Sequence, residues 1–224
     1  MNYFETTIEY ILDAGHWTGA MGLGTLTAQH VGYSLLGVGL SALIGVPLGW
    51  WVGHTGKGRG LAVVVSGAVR ALPTLGLITL FGLALGIGLR APLLALVILA
   101  LPSVLAGAYT GIEAADRVAV DGARASGMSE AQVLARVEIP LGAPQLVGGL
   151  RSAGLQVIAT ATLAAYTGAG GLGRLMFLGL KTRDYTSMLV ASFLVVVLAL
   201  VSEAVFSLVQ RAVAPAGTRH RKDS

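Results

Sequence analysis

Five long stretches of this 224-residue chain are almost free of ionisable side chains, which constrains the fold more than any motif in it. They run over Val31 to Gly53, about Gly60 to Leu89, Ala91 to Ile112, about Pro144 to Thr167, and about Ser187 to Gln210. Each reaches the roughly 20 apolar residues that let an α-helix cross a bilayer, where a charge at the centre is costly. Only Arg70, Arg151 and Glu203 fall inside them. With 12% charged residues the chain has about half the usual share, too little to cover a water-soluble surface. Its 32 glycines, about twice the usual share, suit close helix packing in lipid. The fold class is therefore all-α: a polytopic membrane protein of about five transmembrane helices, or six if Pro73 splits the second stretch into two elements.

Basic residues orient the spans, because cytoplasmic loops carry the excess of Lys and Arg. With the N-terminus outside and the C-terminus inside, nine basic residues lie inside: Lys57, Arg59, Arg117, Arg124, Arg136, Arg211, Arg219, Arg221 and Lys222. Four lie outside: Arg90, Arg174, Lys181 and Arg183. Arg70 and Arg151 stand near inner span ends, where long side chains snorkel, and Glu203 is placed at the interface or against a basic neighbour. The domain plan is an extracytoplasmic segment 1–29, a single transmembrane body 30–212 containing a cytoplasmic loop 113–145, and a basic tail 213–224. In the first segment, Phe4, Ile8, Ile11 and Leu12 recur at helical spacing, so Tyr3 to Ala14 reads either as an amphipathic surface helix or as a frayed tail.

Several chemistries are excluded. There is no Cys for a disulfide, zinc ribbon or thiol nucleophile, and the four His, at 16, 30, 54 and 220, lack ligand spacing. The basic residues form no stripe with interleaved aromatics, so no nucleic-acid partner is expected. Gly168-x-Gly170-x-x-Gly173 matches a dinucleotide fingerprint formally, but it follows an apolar helix and not a strand. The turn Gly168, Gly170, Gly171, Gly173 is read instead as a close backbone approach at the outer mouth. Gly53 to Gly58 lacks the spacing of a phosphate loop.

The loop from Glu113 to Gln145 is polar yet patterned as helix. Ser129 and Gln132 form a capping box, so a helix starts at Ser129 and runs towards Val137 before Pro140 stops it. A shorter helix, about Ala115 to Ser126, precedes it, with Gly127 as the corner.

The stretch Asp121-Gly122-Ala123-Arg124-Ala125-Ser126-Gly127, then nine residues, then Val137-Glu138-Ile139-Pro140, resembles the cytoplasmic E-A-A loop of ABC importer permeases. Asp121 and Gly122 replace the usual Glu and Ala, while Val137 and Ile139 stand for Ile and Leu. The literal Glu113-Ala114-Ala115 is a decoy, because Ala119 and not Gly follows at the required spacing. Leu72-Pro73-Thr74, Leu101-Pro102, Tyr109-Thr110-Gly111-Ile112, Gly149-Leu150-Arg151-Ser152-Ala153 and the glycine turn resemble the branch that imports glycine betaine, carnitine, choline and related quaternary amines. One departure bears on cargo: relatives often carry Arg-Asn-Thr before the Tyr-Thr-Gly-Ile segment, where this chain has Leu105-Ala106-Gly107-Ala108.

The resemblance implies a transport subunit of the cell membrane and no enzyme. Its loop would dock on a separate ATPase subunit that holds ATP and Mg, this chain binding no cofactor. An extracytoplasmic substrate-binding protein and a second permease, identical or related, complete the implied assembly within the lipid bilayer. In the loop Met128, Val133 and Leu134 offer apolar contact, and Asp121, Arg124, Glu130 and Arg136 a polar rim. Candidate pathway groups are Thr74, Ser103, Tyr109, Thr110, Thr160, Thr162, Tyr166 and Thr167, the tyrosines offering faces to a quaternary ammonium and the hydroxyls having their own helix backbone as the alternative partner. The competing functions are an importer permease for methionine or a betaine-like thiol compound, and a secondary transporter.

Overall fold

The computed structural model describes residues 2–214, and among these there are helices and no strands. The apolar stretches become α2 (Leu23–Thr55), α3 (Arg59–Arg70), α4 (Thr74–Leu85), α5 (Arg90–Glu113), α8 (Ile139–Thr160) and α10 (Tyr185–Val213), with α1 (Tyr3–Leu12) ahead of them. The loop region supplies α6 (Arg117–Ala125) and α7 (Glu130–Val133), and α9 (Leu172–Thr182) precedes α10. Among the described residues four spans are long and apolar enough to cross a membrane: Leu23–Thr55, Arg90–Glu113, Glu130–Thr167 and Tyr185–Val213. The second stretch is the bent pair α3 and α4, which brings the number to five if it is one crossing. Pro73 causes the break, since it lacks an N–H and keeps the residue before it out of the helical region. Its carbonyl then accepts the first bond of α4, from Leu77 N–H at 3.0 Å.

The expected stop at Pro140 does not occur. Residues 130–160 are helical throughout, and α7 passes into α8 through a π turn, Leu134–Glu138. The Ile139 N–H bonds Leu134 O, five residues back. This wider turn gives the Pro140 ring the room that a regular helix interior would deny it.

The helices contribute to two compact units. The first comprises the described residues of Met1–Leu40, Ala71–Ala100 and Gly154–Ser202. Its core joins Leu23 and Leu26 of α2 to Leu172 and Leu175 of α9 and to Val190, Ala191 and Leu194 of α10. Helix α1 packs on this cluster through Tyr10 and Ile11, and the Tyr3 and Tyr185 rings meet edge-on at 5.8 Å. Phe4, Ile8 and Leu12 face outward.

The second unit comprises the described residues of Ser41–Arg70, Leu101–Ala153 and Glu203–Ser224. Glycine builds it. A Cβ on Gly49 would stand 2.6 Å from the Ala108 Cβ, and one on Gly53 2.7 Å from the Ile112 Cβ, so α2 lies directly on α5. On its other side α5 meets α8 backbone to backbone, Gly107 against Gly149 and Gly111 against Gly142. Such contacts replace the hydrophobic drive that helices lack in lipid. They also give the local reason for small residues at 107 and 108, where a larger side chain would strike α8 or α2. The ion pair Arg151–Glu203 and the bond from Gln210 Nε2 to Pro144 O, 2.9 Å, tie α8 to α10. Arg151 thus meets an acid, and Glu203 has the basic neighbour foreseen as one of its two placements. The tail from residue 215 onward lies outside the described residues.

Candidate functional site

The segment between α5 and α8 folds on itself through local signals. Asp116 caps α6 by accepting from the Val118 N–H at 2.9 Å, so that helix is shorter at each end than its pattern suggests. Gly127, at φ +83°, ends it: its N–H bonds Arg124 O, and the Met128 N–H bonds Ala123 O. That left-handed position favours glycine. The capping box is formed, with the Gln132 Oε1 accepting from Ser129 N at 2.9 Å and the Ser129 Oγ from Gln132 N at 3.4 Å.

A small core of Ala115, Val120 and Val133, flanked by Ala123, Met128, Val137 and Leu141, holds the two arms together. Val133 is fully buried there, so it cannot offer the contact surface expected of it. The reason is spacing: Val133, Val137 and Leu141 share the face that packs inward. The apolar residue presented to solvent is Val118 on α6, 79% exposed, which the sequence reading passed over. Met128, Leu134, Val137 and Ile139 are half-buried, and Asp121, Gly122, Arg124, Gly127 and Pro140 are exposed.

Charges bind this segment to the end of α2. Arg124 grips Glu130 with two bonds, Nε to Oε1 at 2.9 Å and Nη2 to Oε2 at 3.0 Å, and lies 3.6 Å from Asp121. The Glu130 carboxylate holds the Arg124 guanidinium above its usual range. His54, the penultimate residue of α2, puts Nδ1 2.5 Å from the Glu138 Oε2 and Nε2 3.3 Å from the Glu130 Oε2. Glu138 belongs to the loop motif and His54 is one of the four His without ligand spacing, but nothing in the sequence pairs them. They stand 84 positions apart, and no local pattern pairs residues at that distance.

The pathway candidates divide between the two units. Thr110, Thr160 and Thr162 donate to their own helices, at Ala106 O (2.7 Å), Gln156 O (2.7 Å) and Ala159 O (2.8 Å). Thr167 donates to both Ala164 O and Gly88 O at 3.2 Å. Ser103 is buried, Thr74 opens α4, and Tyr166 is exposed with its ring 6.2 Å from that of Phe177. Tyr109 and Thr110 share an apolar cavity of about 290 Å³ with Ser66, Arg70 and Pro102. The Arg59 guanidinium lies 5.5 Å from the Tyr109 ring centre and 3.0 Å from Glu113 Oε1.

The glycine turn is a tight structural crossing. Gly168, Gly170 and Gly171 all have positive φ, and a Cβ on Gly173 would overlap the Thr162 carbonyl oxygen. Gln29 Oε1 accepts from Gly171 N at 3.0 Å, and the Tyr33 hydroxyl donates to Ala169 O at 2.5 Å.

Residues 45–216 match the family described as binding-protein-dependent transport system inner membrane component. The chain belongs to this family. It is a transport permease subunit of the inner membrane, and the permease shares 33% identity over 222 residues with the osmoprotectant import permease protein OsmW of Salmonella typhimurium, covering 95% of this chain and 99% of that one. The choline transport system permease protein OpuBB of Bacillus subtilis is 32% identical over 197 residues, 88% of this chain and 91% of that protein. Among solved structures, the inward-facing MetNI methionine ABC transporter aligns with a TM-score of 0.75 at 20% identity, over 86% of the permease and 96% of that chain. At that identity the likeness shows the fold alone.

Proposed function

We propose that this permease is the membrane subunit of an ATP-driven importer for quaternary-amine osmoprotectants such as glycine betaine, choline and carnitine. The observation that carries the reading is identity of 32–33% with osmoprotectant and choline permeases over 88–95% of the chain. The segment 113–145 is the cytoplasmic loop that docks on an ATPase subunit, with the N-terminus outside and the C-terminus inside. ATP and Mg are handled by that partner, cargo arrives on an extracytoplasmic binding protein, and two permease subunits enclose the pathway. ATP binding draws the loops together and opens the pathway outward; hydrolysis returns it inward. This is a two-state device biased at the loop.

The test is uptake of labelled choline, glycine betaine, carnitine and methionine by an uptake-deficient strain expressing the permease with its ATPase and binding protein. ATP-dependent accumulation of the quaternary amines, and not of methionine, is expected. Methionine uptake alone, or uptake by the permease without an ATPase, would overturn the reading.

A further inference from the structure

We propose that His54 is a positioning residue: by bridging Glu138 and Glu130 it clasps the docking loop to the end of α2, so that movement of the loop is delivered to that helix. The inference rests on the transport reading above and adds the route by which force leaves the loop.

The geometry of the ring carries it. Nδ1 is 2.5 Å from one carboxylate and Nε2 is 3.3 Å from the other. Both ring nitrogens thus face carboxylate oxygens, Nδ1 within hydrogen-bond distance and Nε2 within ion-pair distance. Glu138 is only 8% exposed in its side chain and His54 13%, so the inner half of the bridge is shielded from water. A buried carboxylate needs a partner, and removing one member of such a pair strands the other. From Glu130 the chain of charges continues to Arg124 and Asp121 on α6.

The far end is anchored. Gly53, beside His54, is pressed on Ile112 and the Tyr109 carbonyl of α5, so the end of α2 cannot slide independently. Along the backbone, the loop reaches α8 through the π turn and α5 through residues 114–116, but it has no direct backbone link to α2, which precedes α3, α4 and α5 in the chain. The His54 bridge supplies one in charge. The other charged groups around the same cavity of about 260 Å³ are Glu113 on α5 and Arg117, Asp121 and Arg124 on α6.

The experiment measures ATP hydrolysed per labelled choline or glycine betaine imported by the complete complex in vesicles. His54→Ala should raise that ratio about thirtyfold, the middle of the usual roughly 5–150-fold range of coupling, with the ATPase still co-purifying. His54→Ala/Glu138→Gln, which leaves no stranded carboxylate, should assemble and show the same rise. His54→Lys, a permanent cation, should restore a low ratio. A wild-type ratio in the double variant, or a His54→Lys ratio no lower than that of His54→Ala, overturns the clasp. Absence of ATP-dependent uptake in the wild-type complex would instead overturn the transport reading itself.

Discussion

Replacing Gly111 with Ala should separate α5 from α8, and the cost can be worked from the crossing. A Cβ at Gly111 would lie 2.6 Å from the Gly142 carbonyl oxygen, whereas ordinary contact begins at 3.4 Å, so one backbone must move by about 0.8 Å. The obstacle is backbone and not a flexible side chain tip, and no rotamer change relieves it. Overpacking of this kind costs about 1–3 kcal/mol, which for a chain of this length lowers the unfolding midpoint by roughly 2–12 °C. Gly142→Ala should behave alike, since its Cβ would meet Gly111 C and O at 2.5 Å. Because either methyl already parts the helices, the double variant should cost less than the sum of the singles. Gly39→Ala is the control: nothing lies within 4 Å of its Cβ, and its midpoint should hold or rise slightly. The assay is thermal unfolding in one detergent, followed by size-exclusion fluorescence. Equal midpoints for Gly111→Ala and Gly39→Ala would refute backbone contact as the basis of this packing.

Four further outcomes follow from the geometry. Gly127→Gln places a side chain at φ +83°, costing about 1–2 kcal/mol locally; membrane insertion should survive while ATPase co-purification and uptake fall. Val118→Asp alters a residue that is 79% exposed, so the melting midpoint should stay put while ATPase retention in pull-downs drops about tenfold, the scale of one interface anchor. Arg151→Ala strands Glu203 and should destabilise by about 1–2 kcal/mol, a figure reduced because both side chains are about one third exposed; Arg151→Ala/Glu203→Ala should recover part of that in the same melting assay. The Ser187 hydroxyl and N–H hold the Asp184 carboxyl below its ordinary range. Its contribution is therefore complete above the unfolded carboxylate range and lost as pH falls through the folded value, so wild type and Asp184→Ala should differ in melting at neutral pH, by about 0.5–2 kcal/mol as for other helix caps replaced by Ala, and draw closer in acid.

What the amino-acid order determined by itself is whatever depends on near neighbours. The spans were legible because hydropathy is a property of a continuous run. The Ser129 capping box and the Gly127 corner were legible because each bond in them closes within five residues. The break at Pro73 was visible as an alternative for the same reason. The stop predicted at Pro140 failed because a π turn relieves a clash that a regular helix could not.

Tertiary structure alone decided which side of each helix meets which neighbour. The pairs Arg151–Glu203 and His54–Glu138 join residues 52 and 84 positions apart, and neither member shows a pattern that names the other. Burial of Val133 and exposure of Val118 reflect how two short helices fold across Gly127, although both residues are valines of the same intrinsic hydrophobicity. Many glycines suggested close packing, but only the crossing of α5 with α8 distinguishes Gly111, where a methyl has no room, from Gly39, where it meets nothing. Local chemistry chooses helices and turns, whereas the contacts that transmit force depend on distances that exist only once the helices have packed.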